Sequence, residues 1–221
     1  MKAISCGVDE AGRGPVIGPL VLACVCLDDA GIDRLKDLGV RDSKKIAPRR
    51  RVALEPEVKK ASVEWALVEI SPAEIDRMRK KMSLNVLEAI KTAELITSLK
   101  VKPDRIFIDA TDSIAANYEE KIVFHIHKIK PDYVLPEIFC EHKADDKYVP
   151  ASAASILAKV ERDRVIEELK QVHGDFGSGY PSDELTQKFI RMLVREGDLP
   201  AFVRRSWDTV DKSKQSTLGE F

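Results

Sequence analysis

Residues 2–27 read KAISCGVDEAGRGPVIGPLVLACVCL. The first stretch, residues 2–10, has strand character and ends on two carboxylates, Asp9 and Glu10. A glycine-rich turn with Gly12, Arg13 and Gly14 follows, and residues 18–27 then form a continuous apolar run. Two apolar segments joined by such a turn predict a β-hairpin. Charged side chains rarely close an apolar strand without a partner. Successive strand residues point to opposite faces, so Asp9 and Glu10 reach one site only if the strand bends there. The glycines are expected to supply that bend, and Gly7, on the face of Asp9, to leave room for a ligand.

Three further strands are expected in SVEWALVEI (62–70), DRIFIDA (104–110) and DYVLPEIFCEHKAD (132–145), the last running out at Asp145. Between them lie helical patterns. Residues 47–61 start with Pro48 in the first turn, and residues 71–82 open with Ser, Pro and an acid. Residues 83–100 and 150–174 follow, the latter ending at Gly174, while residues 114–129 read as helical at first. Residues 183–197 begin with an Asp cap and stop at Gly197. Strands first, then strands alternating with helices, predict an α/β fold, with a mixed sheet flanked by helices and a helical C-terminal end. From about Asp208 the chain is polar and is expected to be loose.

The composition, 44% hydrophobic and 33% charged, is that of a globular domain. No apolar run reaches the roughly 18 residues of a membrane helix, and no signal peptide is visible, so a cytoplasmic protein is expected. The four cysteines have no Cys-x-x-Cys spacing and read as buried thiols. The net charge of −1 does not announce a nucleic-acid binder. Residues 41–60 carry eight Lys/Arg against three Asp/Glu, a local +5 that suits either a solvated helix face or a phosphate.

Carboxylates stand at three expected strand ends: Asp9 with Glu10, Asp109, and Asp145 just past the last strand. Acids gathered at sheet ends repel one another unless they share cations, and all-oxygen ligands suit Mg²⁺ or Mn²⁺. That is the apparatus of metal-assisted phosphodiester hydrolysis.

The blocks GVDEAGRGPVIGPLV, RDSKKI, FIDA, KADDKYVPASAASILAKVERDR and FGSGYPSD occur in this order between residues 7 and 183. Together they resemble type 2 ribonuclease H, ribonuclease HII, in its archaeal form. The resemblance implies the ribonuclease H-like fold, a mixed five-stranded sheet flanked by helices with a C-terminal helical segment. It implies hydrolysis of the RNA strand of RNA–DNA hybrids. It also implies nicking of duplex DNA 5′ of an embedded ribonucleotide, leaving a 3′-hydroxyl and a 5′-phosphate, with roles in ribonucleotide removal and RNA-primer processing.

By the same resemblance Asp9, Glu10, Asp109 and Asp145 hold two ions, Mg²⁺ or Mn²⁺, with Asp9 bridging both. Gly12, Arg13 and Gly14 match the turn that reads the ribose 2′-hydroxyl and nearby phosphates. Tyr180 matches the ring that packs on the deoxyribose after the ribonucleotide, and Lys45 is expected to grip a phosphate near the cut. Two departures stand out: Tyr148-Val149-Pro150 where the family often has Tyr-Pro, and Ala110 where glycine is common.

The expected organisation is a catalytic domain over 1–174, a helical segment over 175–209 packed on it, and a flexible tail over 210–221. The tail ends QSTLGEF, with Gln215, Leu218 and Phe221 at the spacing of the short peptide that binds the sliding clamp. One turn of 3₁₀ helix would put these three on one side. A monomer is expected. The rivals are a type 3 ribonuclease H, which usually carries an N-terminal platform domain, and a non-catalytic nucleic-acid-binding module, whose acids would repel phosphate.

Overall fold

The computed structural model describes residues 3–41 and 46–218. Its strands are β1 (Ser5–Ala11), β2 (Leu20–Leu27), β3 (Glu64–Ile70), β4 (Arg105–Asp109) and β5 (Glu137–Glu141). Its helices are α1 (Asp29–Asp37), α2 (Pro48–Ala61), α3 (Pro72–Arg79), α4 (Leu84–Ser98), α5 (Ala115–Ile129), α6 (Ala144–Lys147), α7 (Val149–His173), α8 (Glu184–Glu196) and α9 (Asp208–Leu218). The chain divides into two compact units. The first comprises Met1–Ala11, Val21–Val68 and Leu84–Val160; the second comprises Gly12–Leu20, Glu69–Ser83 and Glu161–Phe221.

The first unit is built on a five-stranded sheet of order β3-β2-β1-β4-β5. β1 pairs with β2 antiparallel, Asp9 opposite Ala23, while β4 runs parallel to both β1 and β5. The expected mixed sheet is present, and the alternation of β2 explains its two covered faces. Val21, Ala23, Val25 and Leu27 pack with Leu35 of α1, Leu54 and Val58 of α2, and Ala153 and Leu157 of α7. Cys24 and Cys26 turn the other way, with Cys6 and Val8, against Ala89, Ala93 and Ile96 of α4 and Ile122 and Ile126 of α5. All four cysteines are buried free thiols.

The second unit has its own core, where Val16 and Ile17 pack with Ile166, Phe176, Ile190, Leu193, Val203 and Val210. Ile17 and Val203 form an isolated antiparallel bridge. Asp183 caps α8 by accepting from the N–H groups of Leu185 and Thr186, and Gly197 ends it at φ 73°, as the sequence predicts.

Four expectations change. β1 does not stop at the acids but runs on to Ala11, so no bend brings Asp9 and Glu10 to one side. Asp145 stands not at a strand end but on α6, after Lys143 takes the left-handed conformation at φ 59°. The segment expected to be loose from Asp208 is helix α9, with Val210 and Ser213 buried. Helix α1 was not expected; its glycine and sparse apolar residues hide it, but Asp28 caps it by accepting from the Gly31 N–H at 2.9 Å.

Gly7 also has a different purpose from the one expected. A Cβ there would lie 2.0 Å from the Pro150 carbonyl carbon and 2.1 Å from the Ala151 nitrogen. The room beside β1 is filled by the first turn of α7, not by a ligand. Gly7→Ala should therefore force α7 off the sheet and cost about 3 kcal/mol or more. At this chain length that lowers the melting temperature by roughly 6 °C or more; an unchanged melt would contradict the packing.

Candidate active site

The site in the first unit is built from three elements. Asp9 is in β1 and Asp109 closes β4, its parallel neighbour, each one residue beyond the Val8–Ile108 pair. Asp145 comes from α6, whose tight entry at Lys143 lets the Ala144 N–H donate to Asp109 Oδ1 at 3.1 Å. One carboxylate oxygen from each of Asp9, Asp109 and Asp145 lies within 4.8 Å of the others. Asp9 and Asp145 are buried. Of the adjacent acids Asp145 and Asp146, only Asp145 belongs to this group, and Asp146 is exposed.

Two residues of α7 moderate the repulsion. Lys159 Nζ donates to Ser155 Oγ at 2.7 Å and lies 3.9 Å from Asp145 Oδ2. Ser155 in turn hydrogen-bonds to the Asp9 carboxylate. These do not cancel the crowding: burial first, and then the Asp109 charge, push the Asp9 carboxyl from its ordinary 3.8 up to about 7. Neither α7 residue was singled out from the sequence. Their spacing, one helical turn apart in SILAK, is ordinary until α7 is laid against the acids.

Glu10 alternates to the other face of β1 and is not in the converging group. There it faces Tyr118, whose phenol is raised by burial and by the Glu88 and Glu10 charges. Lys45 lies outside the described residues.

The second unit holds the other predicted residues. Gly12 has φ 86°, and a Cβ on it would meet the Pro19 carbonyl oxygen at 2.5 Å, so only glycine fits. Gly14 packs against Tyr180; a Cβ there would sit 3.3 Å from Tyr180 Cε1. Arg162, which sequence reasoning missed, holds the ring: its guanidinium lies 5.3 Å from the ring centroid, and Nη2 donates to the Ser178 carbonyl at 2.9 Å. Tyr180 is 40% exposed, so its ring is accessible to a ligand. Gln215 is exposed on α9, Leu218 is that helix's last residue, and Phe221 lies outside the described residues.

The donor set fits a hard divalent cation: carboxylate oxygens only, close enough to share one, with a raised carboxyl that a cation would relieve. Fold and acids together define a metal-dependent nuclease of the ribonuclease H-like class.

The comparisons narrow that class. The family model for Ribonuclease HII matches residues 6–210. Ribonuclease HII of Thermococcus onnurineus is 46% identical over 215 residues, covering 97% of this chain and 91% of the relative. Among solved structures, ribonuclease H2 from Pyrococcus horikoshii superposes with a TM-score of 0.87 at 42% identity, covering 96% of this chain and 98% of the other. The PCNA:RNase HII complex from Archaeoglobus fulgidus matches with a TM-score of 0.84 at 39% identity, over 98% and 100%. The chain belongs to the ribonuclease HII family and is a ribonuclease H hydrolase.

The raised Asp9 carboxyl gives a signed prediction for metal-free protein. Below about pH 4 both folded and unfolded states hold this proton. Between about 4 and 7 the unfolded state releases it first, so stability falls as pH rises. Asp9→Asn lacks this loss and should exceed the wild type in stability by on the order of 2–4 kcal/mol at pH 7.5 in chelator. Mn²⁺ should close or reverse the gap by stabilising the wild type alone. Thermal melts across pH 4–8 test this; a constant difference between the two proteins would exclude it.

Proposed function

We propose that this enzyme hydrolyses the RNA strand of RNA–DNA hybrids endonucleolytically. We further propose that it nicks duplex DNA 5′ of an embedded ribonucleotide, leaving a 3′-hydroxyl and a 5′-phosphate. The observation that carries the reading is the convergence of Asp9, Asp109 and Asp145 on one point. These three would hold Mg²⁺ or Mn²⁺, two ions in all, while Glu10 stands on the other face of β1. Such ions supply a nucleophilic water at neutral pH and stabilise the charge on the leaving oxygen.

The chain's own residues do the rest. Burial shields Asp9 and Asp145 from bulk solvent, the α6 amide fixes one Asp109 oxygen, and the Lys159–Ser155 pair orients Asp9. No side chain is needed as general base. The Gly12-Arg13-Gly14 turn binds the ribose 2′-hydroxyl, the one group that separates RNA from DNA at a given nucleotide. Arg13 holds a phosphate, as does Lys45. Tyr180 offers its open ring to the deoxyribose that follows the ribonucleotide, with Arg162 keeping the ring in place.

The test is nicking of a duplex with a single ribonucleotide, beside an all-RNA hybrid, in Mg²⁺ or Mn²⁺. Asp9→Asn should abolish cleavage of both, by at least about 10³-fold, and leave duplex affinity nearly intact. Tyr180→Ala should slow the single-ribonucleotide duplex at least about tenfold more than the hybrid, since it removes the apolar contact of the ring with that deoxyribose. Equal slowing of both would end the junction role, and activity in Asp9→Asn would end the metal assignment.

The Archaeoglobus fulgidus relative has been solved with PCNA. We extend that partnership to this chain through Gln215, Leu218 and Phe221, in a monomer that works on replicating and repaired DNA in the cytoplasm. No helix among the described residues is long and apolar enough to cross a membrane. Calorimetry against the clamp should show binding by the full chain and none after truncation behind Lys214, with duplex cleavage retained. Equal binding by both forms would refute the motif.

A further inference from the structure

Arg204 is fully buried, and its planar guanidinium donates three hydrogen bonds to backbone carbonyls. Nη2 donates to the Gly12 carbonyl at 2.5 Å, Nη1 to the Arg13 carbonyl at 3.0 Å, and Nε to the Gly18 carbonyl at 2.9 Å. Trp207 completes the arrangement: its Nε1 donates to the Gly14 carbonyl at 3.1 Å, and its ring lies 4.8 Å from the Arg204 guanidinium. Three consecutive carbonyls, those of Gly12, Arg13 and Gly14, are therefore all held by one Arg–Trp pair.

The pair is itself anchored. Arg79 of α3 stacks on the Trp207 ring at 4.6 Å and donates to the Ser206 carbonyl at 2.8 Å. Asp76 accepts from the backbone N–H groups of Arg205 at 2.8 Å and Ser206 at 3.0 Å.

Peptide planarity also fixes where the neighbouring donors point. In a trans peptide the N–H points opposite to the C=O of the preceding residue. If the Gly12 and Arg13 carbonyls both point at one guanidinium, the N–H groups of Arg13 and Gly14 both point away from it. Successive amides aimed the same way form an anion- and oxygen-binding nest. A cation on the carbonyl side also polarises each peptide and strengthens its N–H as a donor.

We propose that Arg204, with Trp207, is the positioning residue of the substrate-reading turn: it fixes the paired amides that recognise the ribose, without touching substrate itself. This rests on the reading of Gly12-Arg13-Gly14 as that turn. A buried guanidinium is costly to desolvate, and a scaffold role for the loop would be served by apolar side chains. A planar fork that meets three carbonyls at fixed angles cannot be replaced by the compact ammonium of lysine.

The experiment measures affinity in Mg²⁺ for a duplex with one ribonucleotide and for its all-deoxy counterpart, in an Asp9→Asn background so that nothing is cut. Arg204→Lys keeps the charge and loses the fork. It should lower the preference for the ribonucleotide duplex at least about fivefold, the value of one to two hydrogen bonds, with all-deoxy affinity unchanged. Trp207→Phe keeps the stacking and loses only the Nε1 donor, and should lower the preference about two- to fivefold. Gly12→Ala, which disrupts the turn directly, is the control for the turn reading, and melting curves certify that each variant is folded.

Lost preference with kept all-deoxy affinity supports the Arg204–Trp207 pair as a clamp on the turn. Preference retained in both folded clamp variants but lost in Gly12→Ala overturns the clamp and leaves the turn standing. Preference retained in all three overturns the turn reading and the clamp with it. Equal loss of affinity for both duplexes overturns the clamp as a specificity device. If Arg204→Lys does not fold, Trp207→Phe decides alone.

Discussion

Three carboxylate oxygens within 4.8 Å of one another, two of the side chains buried, is an arrangement that electrostatics opposes. A flexible segment would relax it at once, so the acids must be held by elements that cannot move apart. β1 and β4 are hydrogen-bonded parallel neighbours, which fixes Asp9 and Asp109 side by side. Gly7 has no side chain, so the first turn of α7 rests directly on β1 and brings Ser155 and Lys159 to the acids. The left-handed residue Lys143 breaks the chain after β5 and sets Asp145 on α6, in the same place. Much of the first unit's construction can be understood as the means of keeping like charges together until a cation relieves them.

Under the proposed function the second unit meets a different demand. Reading a sugar hydroxyl needs backbone donors at fixed positions, and a glycine-rich turn has none of its own stiffness. The stiffness comes from outside the turn. Arg204 and Trp207 hold its carbonyls, the Gly179 carbonyl accepts from the N–H groups of Val16 and Ile17, and Tyr180 packs on Gly14. In both units the residues that do chemistry are short or featureless, and those that make them rigid are distant in sequence.

Much of this was legible in the chain itself. Strand and helix periods, the Asp183 cap, the Gly197 stop and the mixed sheet follow from local patterns. The ordered motif blocks marked the acids, the turn and Tyr180, because short recognition and ligand motifs are contiguous. The misreadings have a common cause. Asp9 and Glu10 looked like a pair because they are neighbours, but an uninterrupted β1 sends them to opposite faces. Helix α9 looked loose because its polar composition hides the few residues, such as Val210, that bury against the second core.

The sequence by itself determined most element types, the family and the identity of the candidate ligands, since these depend on residue type and near-neighbour spacing. Only the tertiary structure decided which acids converge, that Gly7 admits a helix rather than a ligand, and that Ser155 and Lys159 answer the crowded charges. It alone also brought Arg204 to a turn more than 180 residues earlier, with Nε on the carbonyl of Gly18 and Nη2 on that of Gly12. No local pattern encodes these contacts, because each depends on two segments meeting only after the sheet and its helices have formed.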